Sequence, residues 1–318
     1  MKTEISTDRK AAVELLRQGE AVALPTETVY GLAADALDPI AVAKVFEAKG
    51  RPRFDPLIIH LPDHDWLGKI ADPLKQDQQL ISQLAEKFWP GPLTMVLPKR
   101  DIVPEIVTAG LDTVAVRISA HPVFIEVVGA FGKPLAAPSA NRFGRISPTT
   151  ATHVLDELNG HISLIIDAGP ATHGIESTIV AVHDGKIDIL RRGPIISEQL
   201  SAFAKVEVAT ERDKISAPGQ TPSHYAPNTP LRIVDDLKSF KASQRCALLA
   251  WNPIDKDGRF VAIRSLSEKQ DLREAAANLF RYLRELDALD VDLIVAERVP
   301  LEGLGAAISD RLQRASHV

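Results

Sequence analysis

The sequence predicts an α/β protein: a twisted mixed sheet with flanking helices, followed by a small C-terminal α/β domain that is Rossmann-like only in its alternation. Three observations carry this. Short apolar runs of strand length alternate with segments of helical periodicity along most of the chain. An Asp184-Gly185 dipeptide between two apolar runs marks a β-hairpin, because both turn positions need positive φ, and this interrupts simple double winding. Residues 217–230 read APGQTPSHYAPNTP, a proline spacing that neither a helix nor a central strand tolerates. With 318 residues the chain exceeds what one core usually supports. The reading therefore divides it into a first domain over 1–205, an extended linker over 206–230, and a second domain over 231–318.

Taken in order, residues 11–18 form a short helix, and 21–25 form a strand running into a Pro-Thr turn. Asp38 as N-cap and Pro39 in the first turn open a helix that carries Val42, Val45 and Phe46 on one face and ends at Gly50. Residues 57–61 are a buried strand. Leu80, Leu84 and Phe88 have helical spacing within 76–88, which Pro90-Gly91-Pro92 terminates. Strands follow at 93–97 and 114–118, then a helix near 121–130, a strand at 135–137, a helix near 150–158 and a strand at 164–167. The hairpin strands are 177–182 and 186–191. Beyond the linker, 231–234, 247–250 and 293–296 are strand candidates, and 268–286 and 305–314 are helix candidates.

Composition narrows the function. With 45% hydrophobic and 25% charged residues, the chain buries a core without help from a metal or disulfide. One cysteine, Cys246, allows no internal disulfide and fits a reducing cytoplasm. The charged N-terminal stretch lacks the apolar centre of a signal peptide, and no apolar run approaches the ~18 residues of a membrane span. A cytoplasmic location is expected. The net charge of −5 argues against nucleic-acid binding over the whole surface but leaves room for local basic pockets. Lys49, Arg51 and Arg53 form one such cluster, and Arg142 and Arg145 another; each alone reads first as a solvated face.

Several chemistries are absent from the pattern. Gly169 and Gly174 have Walker A spacing, but Ile175-Glu176 stand where Lys and Ser/Thr would bind phosphate and magnesium. No G-x-G-x-x-G follows a strand, no G-x-S-x-G marks a nucleophile elbow, and the histidines lack zinc-ligand spacing. Four polar segments at strand ends remain: 25–31, 49–60, 137–141 and 176–178. Singly, each has an ordinary structural explanation. The Thr26-Glu27-Thr28 run suits a turn, His60 suits a hydrogen-bonded structural histidine, and Ser139 and Asn141 suit caps. Together they supply hydroxyls, an amide and Lys/Arg, the groups of a polyanion pocket.

Read in order, L-P-T-E-T-V-Y-G, K-G-R-P-x-x-D-P-L-I-x-H, W-P-G-P-L-T, V-A-V-R, A-P-S-A-N and E-S-T-I span residues 24–179 and resemble the YrdC-like catalytic domain. The P-G-x-x-x-x-H-Y-A-P segment at 218–227, with a small domain behind it, resembles the two-domain form of the L-threonylcarbamoyladenylate synthase family. The resemblance implies condensation of L-threonine, bicarbonate and ATP, carried with Mg2+, into threonylcarbamoyl-AMP and pyrophosphate. A partner transferase machinery would then modify adenosine 37 of tRNA, and a weak direct tRNA contact is a further expectation. Carried over by motif, Thr28, His60, Arg117, Ala137 and Ser177 hold threonine, and Arg51, Asp55, Thr113, Ser139, Ser147, Arg191 and Tyr225 hold ATP. Lys49, Arg51, Ser139 and Asn141 form a catalytic tetrad beside the phosphates, and no protein metal ligand is assigned. Tyr225 reads as a lid or as a packed spacer residue. Asp55 stands where the pattern also admits Asn, so its charge needs a partner. Gln220-Thr221-Pro222-Ser223 lacks the basic residue some relatives carry. Two alternatives remain: a non-catalytic RNA-binding module of the same fold, and a carbamoyl-transfer enzyme, whose extra acylphosphatase and zinc-finger-like regions this chain lacks.

Overall fold

The computed structural model describes residues 2–209, 224–252, 254 and 257–317. The linker positions 210–223, including Gln220-Thr221-Pro222-Ser223, lie outside the described residues. The first domain contains β1 (Glu4–Ser6), β2 (Val22–Leu24), β3 (Gly31–Asp35), β4 (Ile58–His60), β5 (Leu93–Pro98), β6 (Thr113–Arg117), β7 (Leu135–Ala136), β8 (Leu164–Ile166), β9 (Thr178–His183), β10 (Lys186–Arg191) and β11 (Lys205–Val208). They form one 11-stranded mixed sheet in the order β1-β8-β2-β3-β7-β4-β6-β5-β9-β10-β11.

Local chemistry explains the elements that frame the site. Asp38 accepts the Ile40 N–H at 2.8 Å and Gly50 closes the helix Pro39–Lys49 with φ of 59°, so Lys49 is delivered at a sharply defined helix end. β9 and β10 pair antiparallel around Asp184 and Gly185, which have φ of 51° and 67°. β4 and β6 run parallel with His60 opposite Arg117, so both side chains emerge at the carboxyl ends of neighbouring strands. Ligands of open α/β sheets gather at that edge.

Some strands escape the periodicity. β3 reads GLAAD, without the β-branched and aromatic residues that signal a strand, and forms because it pairs with β2 and β7. β1 is a three-residue edge strand beside β8. The expected boundary at 205/206 runs through β11, which pairs parallel with β10, so the sheet continues into the stretch read as linker.

The second domain holds β12 (Leu231–Val234), β13 (Cys246–Ala250), β14 (Phe260–Ser265) and β15 (Leu293–Glu297) in a parallel sheet ordered β12-β15-β13-β14. Helices Leu272–Asp287 and Leu304–Ser316 pack on it. Val29, Ile146, Ile175 and Tyr225 join the same buried cluster as Leu279, Phe280, Ile308 and Leu312, so the loops around the site share a core with the second domain. Gly174 shows how tight that contact is, since a Cβ there would lie 2.5 Å from the Ala277 backbone. No helix among the described residues is long and apolar enough to cross a membrane.

Candidate active site

The four polar segments converge on one cavity, lined among others by Thr28, Arg51, His60, Arg117, Ala137, Ser139, Ser177, Arg191 and Tyr225. It divides into two regions by the charges that line it.

At the ends of β4 and β6, Arg117 is 2% exposed and donates to Glu27 Oε1 at 3.1 Å and to Thr28 Oγ1 at 3.3 Å. Ser119 donates to the other Glu27 oxygen. Thr26 gives its hydroxyl proton to the Val29 carbonyl at 2.6 Å, which obliges Thr28 to donate across the 2.8 Å Thr28–Thr26 contact. Thr28 is thereby left with its acceptor lone pairs toward Arg117. The Arg117 Nε is buried and has no hydrogen-bond partner among the described residues, a donor held in reserve. His60 packs 4.7 Å from the Phe124 ring. Burial, and then the Arg117 charge, hold its imidazole well below the usual range, so it is neutral at neutral pH.

The second region is cationic. Arg51 lies 2.9 Å from Asp55 Oδ2 and donates to the Asp55 and Pro56 carbonyls at 3.1 and 2.9 Å. The charge expected to need a partner at Asp55 therefore has one. Burial raises the Asp55 carboxyl, opposed by Arg51 and Lys49. Lys49 is buried behind the wall and donates from Nζ to the Ser139 and Asn141 carbonyls, both at 2.5 Å. Burial, and then Arg51, push its ammonium down. Asn141 in turn donates to the Arg142 and Arg145 carbonyls at 2.8 Å, shaping the loop after β7. Arg191 donates to the Ser177 carbonyl from Nε at 3.1 Å, and Thr94 and Ser177 share a 2.8 Å hydroxyl contact. Ser147 sits just behind the wall, donating to Glu176.

Thr113 lies at the other end of β6 from Arg117. It starts β6, four residues from Arg117 and so about 13 Å from it along the strand, and it does not line the cavity. Conversely, Glu27, Glu176, His224 and Arg311 belong to the site without having been assigned a role. Glu27 and Glu176 are acids inside motifs rich in hydroxyls, and a buried acid requires a cation. Arg311 interrupts the apolar face formed by Ala307, Ile308, Leu312 and Ala315, a helical pattern visible in the sequence.

Buried histidines give a pH prediction. Burial holds His60 and His224 well below the usual imidazole value and His153 at about 4. The unfolded chain protonates them near pH 6.5. Their stabilisation is thus complete above that pH and is lost as pH falls, by about 1.4 kcal/mol per pH unit for each histidine that stays neutral. Asp55 acts in the opposite sense, because its folded-state carboxyl is raised. Urea unfolding from pH 8 to 5 should show midpoints that drop below pH 6.5, and a flat profile would contradict the neutral histidines.

Comparisons with known proteins show the family. A family model described as Telomere recombination matches residues 14–193, and one described as Threonylcarbamoyl-AMP synthase, C-terminal domain, matches 195–317. Threonylcarbamoyl-AMP synthase of Pyrococcus abyssi is 39% identical over 96% of this chain and 93% of its own length. The enzyme of the same name from Bacillus subtilis is also 39% identical, over 96% and 92%. The crystal structure of P. abyssi Sua5 complexed with L-threonine superposes with a TM-score of 0.88 at 37% identity, covering 97% of this chain and 94% of that one. With both domains matched and relatives aligned along nearly their whole length, this chain belongs to the threonylcarbamoyl-AMP synthase family.

Proposed function

We propose that this protein is an enzyme that makes threonylcarbamoyl-AMP from L-threonine, bicarbonate and ATP, releasing pyrophosphate, for threonylcarbamoyl modification of tRNA. The observation that carries the reading is one cavity with two differently charged regions: Arg117 with its unused Nε beside Thr28 and neutral His60, and a cationic wall built from Arg51, Arg191 and the Lys49-braced Ser139 loop. The first suits the carboxylate and hydroxyl of threonine; the second suits a polyphosphate. The threonine amine adds to bicarbonate with loss of water, giving a carbamate. A carbamate oxygen then attacks the α-phosphorus, and pyrophosphate leaves with the P–O bond electrons. Such a displacement asks the protein for positioning and charge stabilisation, with no protein nucleophile.

Magnesium is carried in by the nucleotide as part of the substrate, and among the described residues no group of three His, Cys, Asp or Glu gathers to hold a metal of its own. The cavity holds about 50 Å3 with His224 and Tyr225 in place, far below the roughly 300–1,000 Å3 of a pocket for a sizeable ligand. Room for ATP calls for a wider opening, and Tyr225, which lines the cavity, supports the lid reading over a passive spacer. The pairing of an amino-acid-sized region with a cationic wall in one cavity favours catalysis over the RNA-binding alternative. The tRNA threonylcarbamoyl-transferase machinery would be the consumer of the product, and the single cysteine fits a cytoplasmic setting.

Purified protein incubated with MgATP, threonine and bicarbonate should release pyrophosphate and threonylcarbamoyl-AMP only when both threonine and bicarbonate are present. Pyrophosphate release that ignores threonine, or no product from a folded sample that binds ATP, would refute the reading.

A further inference from the structure

Arg311 belongs to the second domain, in the helix Leu304–Ser316, yet its contacts lie at the catalytic cavity. It is 0% exposed. Its Nε donates to Glu176 Oε2 at 3.1 Å, and a terminal nitrogen donates to Asp310 at 2.9 Å. Its guanidinium carbon lies 5.4 Å from the centroid of the Tyr225 ring, a cation–π arrangement. Glu176 and Tyr225 both line the cavity. The second Glu176 oxygen accepts from Ser147, and the next residue along the chain, Ser177, meets Arg191. One planar cation from the second domain thus touches both an acid and an aromatic ring that line the cavity.

Packing around it defines the closed position of Tyr225. The Tyr225 ring lies tilted 5.4 Å from Phe280 and meets the His224 ring edge-on at 4.1 Å, and Tyr225 holds φ of 63°, unusual for a residue with a side chain. The Ala226 N–H is held by the Gly144 carbonyl at 2.9 Å, and the His224 N–H reaches the Arg314 carbonyl at 3.4 Å. A backbone in a sparsely populated conformation persists where its surroundings over-determine it. The Tyr225 hydroxyl has no hydrogen-bond partner among the described residues, so the ring's placement rests on its faces, one of them Arg311. A lysine could meet Glu176 or face the ring, but it lacks the flat fork that does both.

We propose that Arg311 is a positioning residue for adenylate formation, through which the second domain completes the catalytic site. Through Glu176 it fixes Ser147, on the ATP side of the cavity; through its face it fixes Tyr225 over the reacting groups. Threonine recognition does not depend on it, since Arg117, Glu27 and Thr28 form a separate network within the first domain. The proposal rests on the synthase reading.

The test uses the full chain with Arg311→Met, which keeps volume beside Tyr225, and Arg311→Lys, which keeps a charge for Glu176. Threonine affinity is measured by calorimetry, and pyrophosphate formation in a single turnover, which excludes product release. The expected result is a split. Threonine Kd stays within twofold of the parent in both variants. The single-turnover rate falls at least tenfold in Arg311→Met and at least threefold in Arg311→Lys. Wild-type rates in Arg311→Met, or in Arg311→Lys should the methionine variant fail to fold, would leave Arg311 a purely structural residue and overturn the proposal. Absence of product from the unsubstituted protein is the separate result that refutes the synthase reading.

Discussion

Arg51→Ala is expected to reduce threonylcarbamoyl-AMP formation by on the order of 10³-fold, the scale of removing an arginine that stabilises transferring phosphoryl charge. The same substitution should also lower stability. Arg51 is the 2.9 Å ion partner of Asp55, whose side chain is fully buried, and it additionally bonds two carbonyls of the loop. Removing one partner of a buried pair typically costs about 3–5 kcal/mol. Lost activity alone would therefore be ambiguous. The double variant Arg51→Ala/Asp55→Asn separates the effects, because the neutral amide removes the orphaned charge. Stability should recover in the double variant while turnover stays low. Recovery of both would mean that Arg51 acts only by holding the loop, and its catalytic assignment would fall.

Much of this arrangement was legible in the sequence, for a physical reason. Helix ends and hairpins are written in a few local residues, so Asp38, Pro39 and Gly50 fix where Lys49 emerges, and Asp184-Gly185 fixes the β9–β10 turn. The motif segments likewise announce themselves, because hydroxyls and amides after apolar strands have few other uses. What stayed hidden depends on tertiary pairing. β3 is a run of small residues that becomes a strand only between β2 and β7. Glu27 and Glu176 sit inside recognised segments, but their cations, Arg117 and Arg311, come from 90 and 135 residues away. Thr113 stands at the opposite end of β6 from Arg117, a placement the motif alone does not give. Arg311 was the recoverable omission, since a charge on the buried face of an otherwise apolar helix asks for a partner.

Arg117→Ala is expected to weaken threonine binding 10²- to 10³-fold, or about 3–4 kcal/mol, the scale of a charge-assisted contact plus the groups it leaves unpaired. Three features make this the dominant contact for the amino acid. The guanidinium is buried, so no water competes well for it. Glu27 and Thr28 hold two of its nitrogens, so it is oriented before substrate arrives. Its Nε remains without a partner among the described residues, and a carboxylate would satisfy it. His60 beside it is neutral, so the two do not repel, and a bound anion meets one cation with a polar neighbour. Arg117→Lys should rescue little, because a single ammonium cannot engage Glu27, Thr28 and a substrate carboxylate in one plane. The effect should be confined to threonine: the cationic wall around Arg51 and Arg191 is a separate set of contacts, so ATP affinity should change less than threefold. Calorimetric titration of the variant with each substrate decides the matter. Near-normal threonine affinity would move the carboxylate elsewhere in the cavity, whereas a parallel loss of ATP affinity would mean that Arg117 holds the whole pocket in shape.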